Sequence, residues 1–226
     1  MKKRSKRYKE ILKLAVNNKK ISSKEALDLV KKNSTTKFDE SIDVSLRINL
    51  KQTKGGDFGL RTTVKLPNGS GKKEKIAVLC DPDKIDEAKK SGAEIVGSDD
   101  LIEQIASGKI NFTKLICTPS MMGKVGKHGK VLGPKGLMPN PKLGSVTEDL
   151  KTAILDAKSG QAEIRNDKDG NIGVSIGKKT FSDDKLIKNF NAIVETLEKE
   201  KSSNTVKGDL IKSVFITSTM GVSYKL

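Results

Sequence analysis

Between Lys75 and Ser159 the chain alternates short, wholly apolar runs with amphipathic stretches, and turn-rich joints mark both ends of this block. "KIAVLC" at 75–80 reads as a buried strand, and Asp83 to Ser91 as a helix that Gly92 stops. Glu94 to Val96 makes a short strand, Ser98 caps a helix carrying Leu101, Ile102 and Ile105, and Lys114 to Thr118 makes a third strand. A last helix runs from about Thr147 to Lys158 and ends at Gly160. Strands that are apolar throughout, separated by helices, imply a parallel sheet covered on both faces.

Each of the two ends of the chain is marginal for folding by itself. Residues 1–66 and 160–226 each supply two or three strands and one or two helices, too little for separate cores. In the first piece, Tyr8, Ile11, Leu12, Ala15 and Val16 form one helical stripe. Ser22 with Glu25 gives a capping box ahead of a second helix. Ile42, Val44, Leu46, Ile48 and Leu50 alternate with polar residues, as do Leu60, Thr62, Val64 and Leu66, giving two strands joined by a loop, "KQTKGGDFG". In the last piece, "QAEIRNDKDGNIGVSIG" reads as a hairpin with an Asp-Gly turn. Ser182 then caps a helix with Leu186, Ile187, Phe190, Ile193, Val194 and Leu197 on one stripe, and "LIKSVFITST" closes the chain as a strand. The fold expected is therefore a discontinuous α+β domain, 1–66 with 160–226, into which an α/β Rossmann-like domain, 67–159, is inserted. Gly69 and Gly71 lie on one crossing, Ser159 and Gly160 on the other, and these four are the expected hinge.

Charge indicates the partner. Lys and Arg number 44 against 28 Asp and Glu, a net charge of +16, which points to a polyanion. Lys2 to Lys20 holds nine basic residues and Glu10, so half of the excess sits in the first tenth of the chain. Met121 to Lys142, "MMGKVGKHGKVLGPKGLMPNPK", has five lysines and no acid and is expected to be an open loop facing phosphate, with Lys127, Lys130 and Lys135 in it. It lacks the nucleotide P-loop spacing. "GKHG" at 126–129 matches the clamp of KH domains, but that clamp joins two helices, and here glycines and prolines follow. "RNDKDGN" at 165–171 is like a calcium loop only superficially, since Arg165 takes the first ligand position and Ile176 the last. One histidine, His128, leaves Ser-His-Asp chemistry and His/Cys zinc sites without their groups. Cys80 and Cys117 end apolar runs and read as buried thiols. With no Trp and 4% aromatic residues, the chain suits a folded nucleic acid better than a bare strand. No apolar run approaches the ~20 residues of a membrane helix, and the N-terminus lacks the apolar core of a signal peptide, so a cytoplasmic location is expected.

Five strings carry a resemblance: "KFDESIDVSLRI" at 37–48, "RTTVKLPNGSGK" at 61–72, "GKVLGPKGLMPNPKLGSVT" at 129–147, "EIRNDKDGNI" at 163–172 and "STMG" at 218–221. Together they closely resemble the bacterial large-subunit ribosomal protein L-one family across essentially the whole chain. The resemblance implies a two-domain protein at the mobile stalk beside the exit site, monomeric outside the ribosome and bound to a folded segment of large-subunit ribosomal RNA. It also implies a part in release of exit-site transfer RNA and repression of translation of its own messenger RNA. Carried over by motif, the RNA contacts are Lys37, Phe38, Arg165, Lys168, Ser213, Thr219, Met220 and Gly221, with Arg4, Lys6 and Arg7 as further candidates. Phe38 and Met220, apolar among polar neighbours, are expected to pack on RNA rather than in the core. Departures from the family pattern are Val222 for a proline after "TMG", "RTT" for an Arg-Gly pair, and His128 for an apolar residue. No cofactor and no metal are implied.

An enzyme binding a phosphorylated metabolite in the parallel-sheet block is the alternative. Open parallel sheets bind ligands at the carboxyl ends of their strands. Here those ends read "CDPD" and "CTPSMMG", with neither a Gly-rich fingerprint after the first strand nor an acid–base pair with a histidine. The expectation is a protein that is not an enzyme.

Overall fold

Short polar signals start the helices of the N-terminal segment. The computed structural model describes residues 5–14, 20–49, 60–203 and 209–226. Helix α1 (Lys6–Leu14) buries Ile11 and exposes Lys6, Lys9 and Lys13, while Leu12, expected inside, is 39% exposed. Ala15, Val16, Leu50 and the loop at 51–59 lie outside the described residues. At α2 (Ser23–Asn33) the Ser22 hydroxyl accepts from the Glu25 N–H at 3.3 Å, and the Glu25 carboxylate accepts from the Ser22 N–H at 3.2 Å. Both orphan donors are thus satisfied as the capping box requires. Strand β1 (Ser41–Ile48) turns Ile42, Val44, Leu46 and Ile48 inward, and β2 (Arg61–Lys65) buries Val64.

Residues 72–161 form one compact unit. Its elements are β3 (Ile76–Leu79), α3 (Ile85–Lys90), β4 (Ile95–Gly97), α4 (Asp99–Ala106), β5 (Lys114–Cys117), α5 (Pro119–Gly126), α6 (Gly129–Leu132) and α7 (Leu150–Lys158). The three strands are parallel in the order β4–β3–β5. Ala77, Leu79, Leu115 and Cys117 share one core with Leu101, Ile105, Met121, Val125 and Leu132; Ile76, Val78 and Ile116 share the other with Ala88, Leu150, Ile154 and Ala157. Both faces are covered, which is why these strands are apolar throughout. Ser98 occupies the N-cap of α4, yet its hydroxyl makes no capping bond. Cys80 and Cys117 are buried free thiols, and burial pushes Cys117 up to about 11.

The lysine-rich segment corrects the sequence expectation. Instead of an open loop, 119–132 folds into α5 and α6, and "GKHG" joins two helices after all. Met121, Val125 and Leu132 recur at helical spacing and are buried on the sheet, a gain that outweighs the ~1 kcal/mol each helical glycine costs. The first helical residue of α7 is Leu150 rather than Thr147, because the Asp149 carboxylate accepts from the Thr152 N–H at 3.2 Å and sets the start there.

Residues 1–71 and 162–226 form the other unit. The chain returns as β6 (Gln161–Arg165), β7 (Asn171–Lys178), α8 (Asp183–Ser203), β8 (Ile211–Ser218) and β9 (Tyr224–Lys225). An antiparallel sheet runs β7–β1–β8–β9, with Val44 opposite Val174 and Ile216, so the first piece of the chain supplies a strand between two from the last. Leu186, Ile193 and Leu197 of α8 join Ala26, Leu27 and Val30 of α2 in one core with the inward residues of β1. The hairpin expected at 161–177 is corrected too: β6 pairs with β2 in a separate two-stranded sheet, and only an Asn166–Ile172 bridge links it to β7. Asp167 diverts the chain, its carboxylate accepting from the N–H groups of Asp169 (3.0 Å) and Asn171 (2.6 Å). Among the described residues, no helix is long and apolar enough to cross a membrane.

Candidate nucleic-acid interface

Alternation in β1 leaves Asp43, Ser45 and Arg47 on the side opposite its core residues. The register sets them beside Thr217, Phe215 and Ser213 of β8, and beside Ser175, Gly173 and Asn171 of β7. This outer face is polar, with Phe215 half-buried at its middle. Two open hollows lie on it. One, of about 650 Å³, is lined by Arg165, Lys168 and Asn171; the other, of about 570 Å³, by Arg47, Ser213 and Phe215, and Ser45 borders both. Arg165 and Lys168 are exposed, held out by the turn that Asp167 organises. Hydrogen bonds from the backbone and side chain of Asn171 lower the Asp167 pKa, so this turn keeps its charge in weakly acidic solution.

A second group gathers at the other end of β1, ~20 Å away by strand rise. The segment 34–40 meets the turn after β8, where the Thr219 N–H donates to Ser41 O at 3.1 Å and the Ser41 N–H to Thr219 Oγ1 at 3.0 Å. Phe38 is 53% exposed and Met220 50%, so neither belongs to the core. Beneath them Glu40 is fully buried. Its carboxylate accepts from the Thr36 hydroxyl (2.7 Å), the Thr36 N–H (3.4 Å) and the Met220 N–H (3.0 Å). The buried Ser34 and Ser218 hydroxyls find no other partner among the described residues and sit beside the same carboxylate. Burial alone would raise its pKa, but these donors outweigh burial and hold the carboxyl at about 2.

The sequence of 30–222 matches the pattern of the ribosomal protein L1p/L10e family. The chain belongs to that family. It is 68% identical to the large ribosomal subunit protein uL1 of Pelagibacter ubique (strain HTCC1062) over 200 residues, 88% of this chain and 87% of that one. To the protein of the same name from Prochlorococcus marinus (strain NATL1A) it is 47% identical over 226 residues, covering 100% of this chain and 95% of the relative. As a member of the ribosomal protein L1p/L10e family it is a structural protein, not an enzyme.

The remaining predicted residues of this family member fall as follows. Lys37 and Thr219 are exposed beside Phe38 and Met220. Gly221 has an internal reason to be glycine: a Cβ there would come within 2.4 Å of Ser218 Oγ. Val222, where the family pattern has proline, is buried in the terminal unit's core. Arg7 reaches from α1 to donate to Met220 O at 2.8 Å and to Thr35 Oγ1 at 3.4 Å, while Lys6 is exposed and Arg4 lies outside the described residues. In the inserted unit, Lys127, Lys130 and Lys135 are exposed around α5 and α6. At the strand ends of that unit, Ser120 Oγ donates to Asp81 at 2.5 Å and shares a 3.0 Å bond with Thr118 Oγ1. Of the crossing residues, Gly69 (φ 68°) is tied to α8, where the buried Asn189 donates from Nδ2 to Gly69 O at 3.0 Å. Gly71 (φ 72°) would bring a Cβ within 2.9 Å of Lys178 Cγ. On the return crossing, Ser159 caps α7, Gly160 has φ 93°, and Lys114 Nζ donates to Gln161 O at 2.8 Å.

Glu40, Asn189 and the outer-face trio Ser45, Arg47 and Phe215 escape the sequence reading. The alternation of β1 was a usable signal for Ser45 and Arg47, since a strand that buries one face must present the other. Nothing in the sequence marks Glu40 as buried.

Proposed function

We propose that this protein is a constituent of the large ribosomal subunit whose terminal unit binds the folded stalk segment of ribosomal RNA beside the exit site. The observation that carries the reading is two half-exposed apolar side chains, Phe38 and Met220, set on a hydrogen-bonded base in a chain of net charge +16. Cations give reach by releasing counterions, and a rigid apolar pair gives selectivity by packing against ribose and base edges. Lys37, Arg165, Lys168, Ser213, Thr219 and Gly221 are the accompanying contacts, with Arg4, Lys6 and Arg7 at the N-terminus. Lys127, Lys130 and Lys135 supply the inserted unit's share of charge toward RNA or exit-site transfer RNA. The crossings at Gly69, Gly71, Ser159 and Gly160 form the hinge through which that unit moves during transfer RNA release. The same surface, meeting a similar fold in the protein's own messenger RNA, represses its translation. The protein works in the cytoplasm and is monomeric off the ribosome.

Filter binding tests this with a transcript of the stalk segment and a hairpin of scrambled sequence. The stalk transcript should bind more tightly, with an affinity that falls steeply as salt rises. Phe38→Ala and Met220→Ala should each lose an order of ~1–3 kcal/mol against the stalk transcript, at unchanged melting temperature. Equal affinity for both transcripts, or full affinity in both variants, would sink the proposal.

A further inference from the structure

We infer that Glu40 is a positioning residue for the RNA-reading pair, fixing Met220 and the Phe38 loop through one buried, acceptor-only group that Arg7 complements from the other side. The inference rests on the RNA-binding reading above and deepens it.

The group around the Glu40 carboxylate is composed wholly of donors. The Thr36 N–H and hydroxyl come from the segment that carries Phe38, and the Met220 N–H comes from the turn after β8. The hydrogen-bonding partners are neutral, and among the described residues no cation pairs with the carboxylate to offset the cost of burying its charge. A carboxylate is the one side chain that accepts at every lone pair and donates at none when ionised. A glutamine of equal shape would turn an NH₂ toward one of these donors and leave it unpaired. The buried charge is thus explained by what it connects: two chain segments 180 residues apart in sequence, each ending in an exposed apolar side chain.

Arg7 completes the hold on the same residue. Glu40 takes the Met220 N–H, while Arg7 gives a hydrogen bond to the Met220 carbonyl and another to Thr35. Met220 is therefore half-exposed at its side chain and fastened at both polar groups of its backbone. Thr36 Oγ1 also lies 3.2 Å from Phe38 O, so the Thr36 that Glu40 engages is itself packed against the Phe38 backbone. Ordering these residues before RNA arrives removes an entropic cost from binding. The fixed negative charge below them also disfavours a phosphate at this spot, leaving ribose and base edges to dock there.

The test compares Glu40→Gln with the parent chain in stalk-transcript affinity and in the relaxation of the Met220 ε-methyl, ¹³C-labelled, in the free protein. Glu40→Gln should weaken binding about tenfold, as expected when a desolvated backbone donor loses its acceptor. The Met220 methyl should become more mobile, and the salt slope should not change because no phosphate contact is lost. Adding Met220→Ala to Glu40→Gln should cost less than the sum of the two single losses, since Glu40 acts in part through Met220. Arg7→Lys, which keeps the charge but not the two-armed reach, should move affinity and methyl mobility the same way by less. It also serves if Glu40→Gln fails to fold. Additive losses, or an unchanged methyl in both variants, overturn the inference. Full affinity in both Phe38→Ala and Met220→Ala would instead remove the RNA reading, while a mobilised methyl in Glu40→Gln would leave the positioning standing.

Discussion

Replacing Asn189 with alanine should unlatch the first crossing from the terminal unit. Asn189 is fully buried, donates to Ile176 O at 2.7 Å and to Gly69 O at 3.0 Å, and accepts from the Asn68 N–H at 3.1 Å. Alanine leaves all three groups without this partner. Ile176 is on the edge strand β7 but fully buried, and its bond to Asn189 is buried with it, so its carbonyl bears the full penalty of an unmade buried bond, ~1–3 kcal/mol. Asn68 and Gly69 are half-buried and recover part of theirs from water. The sum is a loss of about 3 kcal/mol, which at a urea slope of ~2 kcal/mol per molar moves the midpoint down by about 1.5 M. Tyrosine fluorescence isolates the effect, because the chain has no Trp and its two tyrosines, Tyr8 and Tyr224, both lie in the terminal unit. A midpoint moved by less than the equivalent of ~0.5 kcal/mol, the range of an ordinary surface change, would show that these bonds do not hold the crossing.

Three further outcomes follow from particular contacts. Gly221→Ala should destabilise the turn after β8, and Ser218→Ala in the same chain should recover part of that stability by removing the Oγ that lies 2.4 Å from the new Cβ, though it also takes one donor from Glu40; a double variant no more stable than Gly221→Ala in urea titrations would place the cause elsewhere. Because Glu40 is held at about 2 against an ordinary 4.5, its ionised form is favoured by folding, so its stabilisation is complete above about 4.5 and drains away as pH falls toward 2. Urea midpoints across that window should fall less in Glu40→Gln than in the parent chain, and equal slopes would contradict this. Excising 72–161 and joining Gly71 to Ala162 with a short Gly/Ser linker should leave a folded protein that still prefers stalk RNA, measured by circular dichroism and filter binding. An unfolded product would refute the independence of the terminal unit.

What the sequence made legible is what simple periodicity encodes. The parallel strands are readable because burial on both faces demands continuous apolar runs, and the capping box at Ser22 because two bonds need two residues at fixed spacing. The lysine-rich stretch misled for the converse reason. Its glycines and lysines speak for a loop, while Met121, Val125 and Leu132 recur at helical spacing and win once the sheet offers them a surface. The false hairpin at 161–177 had a sound turn but a wrong partner: β6 and β7 pair with β2 and β1, and local sequence carries no record of distant pairing. In the candidate interface, Phe38 and Met220 stood out as apolar residues among polar ones. Glu40 did not, since a buried acid looks like any surface acid until its donors assemble from residues far away in the chain.

Threading β1 between β7 and β8 also sets a timetable for synthesis. Ile42 pairs with Gly177 and Ser218, so this sheet cannot close until nearly the whole chain has been made. At ~5–20 residues per second, roughly 10–30 s separate the last residue of β1 from the last of β8. The inserted unit, whose pairings are all internal to 72–161, emerges entire within that interval and can fold first. Meanwhile the strongly basic first segment waits without its core partners. The nascent chain thus presents its densest positive charge before it acquires the surface proposed above to read RNA, and on that reading selective binding begins only when β8 slots in beside β1.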